Sequence, residues 1–136
     1  TFSNRLLVVG DAAGQVKPTT GGGVILGGIC GAIAGKVATE AIKHGRFDGT
    51  FLRSYEQSWK KELGKEFRHM LWARRIFNAL SDRAIDKIFE LIIKEDLHQV
   101  VSTEGDMDFQ SGILSDLLRR RKLFKLLLPF LRLFRL

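Results

Sequence analysis

The spacing of apolar and polar residues changes several times along the chain. Leu6-Leu7-Val8-Val9 is a continuous apolar run ending at Gly10, which predicts a short strand buried on both faces, as in a parallel sheet. Gly10 to Gly22 is rich in Gly and Thr and contains Pro18, which predicts a loop. An apolar stretch from Gly23 to Ile42 follows. It predicts a buried helix that closes near His44-Gly45, with Lys43 and His44 at its negative end and Gly45 at C′. Lys36 and Glu40 interrupt the stretch, leaving an uncharged part too short for a simple membrane span. Gly23, Gly27, Gly31 and Gly35 recur every four residues and so share one helical face. Such a stripe admits close approach, by a flat ligand at the first turn or by another backbone further along.

Asp48 is placed to cap a second helix. Its buried stripe reads Phe51, Tyr55, Trp59, Leu63 and Phe67, at steps of four. Ser81-Asp82 restarts a helix with Ile85, Ile88, Phe89 and Ile92 at buried spacing. Glu104-Gly105-Asp106 marks a turn. A last helical region begins at Ser111 or Gly112 and is expected to run on into a basic tail. These elements divide the chain into 1–47, carrying the strand, loop and first helix, a helical part over 48–118, and the tail over 119–136. A lone strand has nothing to pair with. The missing initiating Met and the immediate entry into a strand suggest part of something longer.

Composition narrows the class. The chain has 136 residues, 45% hydrophobic and 27% charged, an ordinary globular mix. Cys30 is the single cysteine, so no internal disulfide forms and a reducing, cytoplasmic compartment is expected. The net charge is +7, and Lys and Arg number 22. Seven of these fall in 119–136, where no acidic residue occurs; the remaining 15 balance 15 acidic residues. A neutral body argues against nucleic acid as a partner. On a helical wheel the tail puts Arg121, Lys122, Lys125, Arg132 and Arg135 on one side and most of its Leu and Phe on the other; Leu128 and Leu136 break the pattern, and Pro129 is a kink. Two destinations are open for it: an anionic membrane surface, or packing on its own domain or a second subunit.

The stretch that carries chemistry is Val9-Gly10-Asp11-Ala12-Ala13-Gly14, followed by Pro18-Thr19-Thr20-Gly21-Gly22-Gly23. Gly10 ends the strand and permits close approach, and Asp11 falls at the strand's carboxyl edge, where ligands sit in α/β sheets. A carboxylate there accepts hydrogen bonds from a sugar-like hydroxyl, or it simply caps the loop. Ala12 leaves room and Pro18 stiffens the loop. Gly21, Gly22 and Gly23 expose backbone N–H groups at a helix start, which favours an anion. No phosphate-loop lysine pattern is present, and no GxGxxG follows a strand.

On these residues the chain resembles the second flavin motif of the p-hydroxybenzoate hydroxylase-like FAD superfamily. Gly10-Asp11-Ala12-Ala13-Gly14 is most similar to the geranylgeranyl reductase family, with Gly where hydroxylases commonly have His. Tyr55-Glu56, Trp59, Glu62-Leu63-Gly64-Lys65-Glu66, Ser81-Asp82 and Gly105-Asp106-Met107-Asp108 extend the resemblance over most of residues 5 to 118. Gly22 departs from the acidic or polar residue of many members, and the tail has no counterpart. The resemblance implies the C-terminal part of an α/β flavoprotein: one strand and a cofactor helix of the FAD domain, then a mainly α-helical C-terminal domain. It implies hydride transfer from reduced FAD to isolated double bonds of isoprenoid chains, on ether lipids or chlorophyll precursors. Electrons come from a nicotinamide cofactor or a ferredoxin-like donor. Asp11 would bind the ribityl hydroxyls, and Gly21 to Gly23 would lie near the pyrimidine edge. Gly10, Asp11, Ala12, Pro18, Gly21, Gly22 and Gly23 are therefore the expected cofactor-binding residues. The first FAD motif and the substrate-binding sheet would lie upstream, so no catalytic residue is assigned and the chain alone is expected to be inactive.

Two rival functions stay open: a flavin monooxygenase of the same superfamily, and a non-enzymatic helical module that docks on a membrane or partner through the tail. Cys30 reads as a packed small hydrophobe. His44, His69 and His98 have no metal spacing. Tyr55 and Trp59 read as core residues in preference to the lining of an isoprenoid tunnel.

Overall fold

The computed structural model describes residues 1–121, Phe124, Lys125 and Leu128. Most of the basic amphipathic stretch 119–136 therefore lies outside the described residues. Two strands, β1 (Phe2–Ser3) and β2 (Leu6–Leu7), precede a 3-10 turn at Gly10–Ala13. The helices that follow among the described residues include α1 (Val24–His44), α2 (Gly49–Ala79), α3 (Asp82–Lys94), α4 (Leu97–Glu104) and α5 (Ser111–Arg119). The mainly helical expectation holds. The chain forms two compact units, 1–68 and 69–136, and the division falls within α2.

The strand expectation is corrected. β2 pairs antiparallel with β1, Phe2 opposite Leu7 and Ser3 opposite Leu6. The two-residue connection needs a positive φ, and Arg5 supplies it at 59°. Leu6 is 53% exposed, because within this chain only one short strand lies beside it. Asn4 Oδ1 accepts the Gly49 N–H at 2.6 Å, and Arg5 N–H donates to Phe47 O at 2.8 Å. These bonds tie the hairpin to the start of α2.

Helix α1 ends as its sequence predicts. Gly45 sits at φ 61°, its N–H donates to Ile42 O at 3.2 Å, and Arg46 N–H donates to Ala41 O at 2.9 Å. Those two bonds are a Schellman closure. Full burial is corrected. Leu26, Cys30, Ala34 and Ala41 are buried, whereas Ile25 is 50% and Ile42 70% exposed. One face of α1 is covered in this chain, and Ile25, Gly28, Ala32 and Gly35 lie on the open one. By length and composition alone, α1 passes as long and apolar enough to cross a membrane, while Lys36 and Glu40 interrupt its uncharged part.

Asp48 caps α2, its Oδ1 accepting the Phe51 N–H at 3.0 Å. That bond, with the Arg46 guanidinium beside it, holds the Asp48 carboxyl below its ordinary range. Of the predicted α2 stripe, Tyr55 and Leu63 are buried, with Leu52 beside them. Phe51, Trp59 and Phe67 are half-buried.

In the second unit, Ile76 of α2 and Ile88 of α3 form a small core joined by Trp72, Leu80, Leu91, Ile92 and Leu117. Phe89, predicted buried, is 54% exposed; it lies one helical step beyond the stripe that faces Ile76. The helix that restarts at Ser81-Asp82 ends at Lys94, and α4 follows after Asp96, which adopts a left-handed φ of 51°, a conformation that Asp tolerates better than most residues. Gly105 follows α4, and Asp106 Oδ1 then accepts the N–H groups of Asp108 at 2.7 Å and Phe109 at 3.0 Å. α5 closes at Arg119 because Arg120 turns to an extended ψ of 111°. The expected continuous run into the tail is thereby interrupted.

Candidate functional site

The loop between β2 and α1 is built around three positive-φ glycines, Gly10, Gly14 and Gly21. Gly10, at φ 72°, turns the chain out of the strand region and starts the 3-10 turn. A residue with Cβ is strained in that region. The turn is closed by Gly14 N–H to Asp11 O at 2.9 Å and by Gln15 N–H to Gly10 O at 3.0 Å. A second closed loop follows: Lys17 N–H donates to Gly22 O at 2.9 Å, and Gly21 N–H, at φ 78°, donates back to Lys17 O at 2.8 Å. Pro18, with φ fixed by its ring, lies inside this second loop.

Small residues let α1 lie directly on the turn. A Cβ at Gly27 would lie 3.4 Å from Gly10 Cα, and one at Gly31 would lie 3.8 Å from Val9 Cγ1. These two glycines serve packing, as their place in the stripe predicts. Gly35 does not, since nothing lies within 4 Å of its missing side chain.

Asp11 and Gly23 are brought together. A Cβ at Gly23 would land on Asp11 Oδ1, so the carboxylate rests in the space that only glycine leaves. Asp11 is exposed. Gly23 is the N-cap of α1, and no side chain caps that end. An acceptor-only carboxylate thus stands beside the positive end of a 21-residue helix. This pairing suits a ligand with hydroxyl donors on one part and an electron-rich acceptor edge on another. Ala12 is exposed, Pro18 and Gly22 are half-exposed, and Gly21 is exposed, so all seven expected residues line one loop and the helix start behind it.

Two further residues shape the loop. Gln15 is fully buried. Its Oε1 accepts the Gly10 N–H at 2.8 Å, and its Nε2 donates to the Tyr55 hydroxyl at 2.9 Å. The Tyr55 hydroxyl in turn donates to Val8 O at 3.0 Å. The Gly10 turn is therefore bolted to α2 through a side chain that has no motif of its own. Lys17 is 8% exposed, and its chain end covers Gly22, where a Cβ would lie 2.8 Å from Cε and 3.2 Å from Nζ. The only sequence signal for either residue is a polar side chain set between glycines and Val16.

Burial pushes the Tyr55 phenol up despite the bond from Gln15, and burial, helped by Glu62, pushes the Cys30 thiol up to about 11. Tyr55 and Cys30 are thus neutral core groups. Among the described residues no cluster of His, Cys, Asp and Glu could hold a metal ion.

Over 100 residues, 74% of the chain, the sequence is 48% identical to digeranylgeranylglycerophospholipid reductase 2 of Methanothermobacter thermautotrophicus, of which it covers 26%. It is 40% identical over 115 residues, 85% of the chain, to digeranylgeranylglycerophospholipid reductase 2 of Methanopyrus kandleri, of which it covers 29%. It is 42% identical over 92 residues, 68% of the chain, to digeranylgeranylglycerophospholipid reductase of Methanocaldococcus jannaschii, of which it covers 24%. The chain spans about a quarter of the length of the curated relatives it matches. No family model matches the chain, and no solved structure does.

Proposed function

We propose, from the premise that this chain belongs to the geranylgeranyl reductase family, that it builds one wall of the FAD site in an enzyme reducing isoprenoid double bonds of prenyl lipids. The observation that carries this reading is the Asp11 carboxylate, exposed and nested against Gly23 at the start of α1. A ribityl chain offers the hydroxyl donors that such a carboxylate accepts. The backbone N–H groups of Gly21, Gly22 and Gly23 suit the electron-rich edge of a flavin ring, and the helix end behind them favours the charge of its reduced form. FAD, when bound, supplies the hydride.

The chain's own residues hold and orient. Gly10 and Ala12 keep the approach open, Pro18 stiffens the loop, and Gln15 fixes the turn that presents Asp11. Residues 1–47 contribute to the FAD domain and 48–118 form a helical domain. The remaining three quarters of the relatives' length would supply the other FAD contacts, the lipid site and the approach of the electron donor, a nicotinamide or a ferredoxin-like protein.

The polypeptide that carries this chain, purified whole, is expected to show flavin absorbance and to hydrogenate the geranylgeranyl chains of an archaeal-type ether lipid when given a reductant. A colourless, folded protein that binds no added FAD overturns the flavin reading. A flavoprotein that hydroxylates its substrate with oxygen, and leaves prenyl chains unsaturated, overturns the reductase reading.

A further inference from the structure

We propose that Tyr55 is a positioning residue of the cofactor site: acting through Gln15 and the Gly10 turn, it sets where the Asp11 carboxylate stands, and so how tightly FAD binds. This inference rests on the flavin reading. It extends the site into α2, which supplies none of the residues expected to touch the cofactor.

The turn that carries Asp11 needs a hold from outside. Gly10 and Gly14 bracket it, at φ 72° and 70°, and glycine leaves that region as readily as it enters it. The bonds from Gly14 N–H to Asp11 O and from Gln15 N–H to Gly10 O close the turn on itself. They do not orient it against the rest of the chain. Contact with Gly27 of α1 limits the space around Gly10 without a directional bond. Direction comes from the buried side chains. Gln15 Oε1 accepts the Gly10 N–H at 2.8 Å, and the Tyr55 hydroxyl donates to Val8 O at 3.0 Å. Gln15 Nε2 joins the two by donating to that hydroxyl at 2.9 Å.

Tyr55 and Gln15 are both fully buried, so a lost bond is not replaced from bulk water. Burial also pushes the Tyr55 phenol up, which keeps its proton in place as the donor to Val8 O. Without this link the Asp11 carboxylate samples several positions, and only a fraction of molecules presents it beside Gly23. Apparent affinity for a ligand falls by that fraction. A merely structural Tyr55 would lower stability and leave the folded molecules binding FAD as before.

The test is FAD titration of the whole polypeptide, under conditions where urea curves show every variant folded. Tyr55→Phe is expected to raise the Kd about tenfold, the scale of one hydrogen bond. Gln15→Met severs the same link from the turn side and is expected to match it. Added to Asp11→Ala, Tyr55→Phe should weaken binding little further, because its route to the cofactor runs through Asp11. Leu63→Val trims a buried residue of the same helix that holds no bond to the turn, and it should leave the Kd unchanged. An unchanged Kd in Tyr55→Phe, full additivity with Asp11→Ala, or an equal loss in Leu63→Val each overturns the proposal. In the cofactor-free protein, amide exchange at Gly14 and Gln15 is expected to quicken about tenfold in Tyr55→Phe and not in Leu63→Val; equal rates in Tyr55→Phe and the unmodified protein also overturn it. If the unmodified polypeptide binds no FAD, the flavin reading falls by itself, and the exchange rates alone decide whether Tyr55 holds the Asp11 turn.

Discussion

The side-chain amide of Gln15 donates to the hydroxyl of Tyr55 at 2.9 Å, across 40 residues of sequence and with both side chains fully buried. Tyr55 passes the bond on to Val8 O, and Gln15 accepts from Gly10. Each end of the Asp11 turn is thus tied to the same α2 side chain.

Tyr55→Phe removes one hydroxyl and leaves the Gln15 amide and the Val8 carbonyl unpaired in the core. The expected cost is about 1–3 kcal/mol, read as a lower urea midpoint with an unchanged slope. A midpoint equal to that of the unmodified chain would mean that water or relaxation satisfies both groups.

Asp11→Ala in the whole polypeptide is expected to weaken FAD binding by about tenfold or more, from a charge-assisted hydrogen bond of about 1.5–3 kcal/mol. Its stability should change little, because Asp11 is exposed. Fluorescence titration with FAD provides the check, and equal affinity would reduce Asp11 to a loop cap.

Gly23→Ala acts on the same carboxylate without touching it chemically. The new Cβ would clash with Asp11 Oδ1, so the carboxylate must swing away from the helix start. FAD affinity should fall in parallel with Asp11→Ala, and the double variant should lose little more than either single one. Additive losses in that cycle would show that the two residues act independently.

Gly28 and Gly35 offer the opposite case within α1. Nothing lies within 4 Å of either missing side chain. Ala at each should stabilise this chain by about 1 kcal/mol through helix propensity. Gly27→Ala should gain less, because its Cβ meets Gly10 Cα at 3.4 Å. A destabilising Gly28→Ala in the whole polypeptide would locate a neighbour on that face.

Cys30 should resist thiol reagents until the protein unfolds. Its folded pKa of about 11 exceeds the ordinary 9.0 because burial disfavours the thiolate. The folded state therefore holds this proton more tightly. The resulting stabilisation is fully present below pH 9 and is lost as pH rises toward 11. Cys30→Ala should remove that part of the alkaline slope, and rapid labelling of the native protein at pH 8 would contradict the burial.

Local signals made part of this legible in the sequence. Gly45 after Lys43-His44, Asp48 ahead of an apolar stripe and Gly105-Asp106 each act through neighbours one turn away, and each ends or starts a helix where expected. The Asp11 loop was legible for the same reason, as a run of small residues between a strand and a helix. Gln15 was not, because its burial depends on Tyr55, 40 residues on. Lys17 was missed because folding over Gly22 is a property of the closed loop and leaves no periodic trace. The hairpin hid behind Arg5, a non-glycine at positive φ, and the α3–α4 break behind Asp96, whose left-handed backbone no pattern announces. Phe89 fitted the period but fell at the edge of the stripe, where period alone does not fix burial.

The open side of α1 has a practical consequence for anyone producing this polypeptide. Val24 is 88%, Ile25 50% and Ile42 70% exposed, on a helix with charges only at Lys36, Glu40 and Lys43. Such a ridge is the kind of surface that chaperones capture and that drives self-association. Expressed by itself, the chain should elute as large soluble aggregates or need detergent, whereas a polypeptide segment that covers this ridge should return it to the soluble fraction.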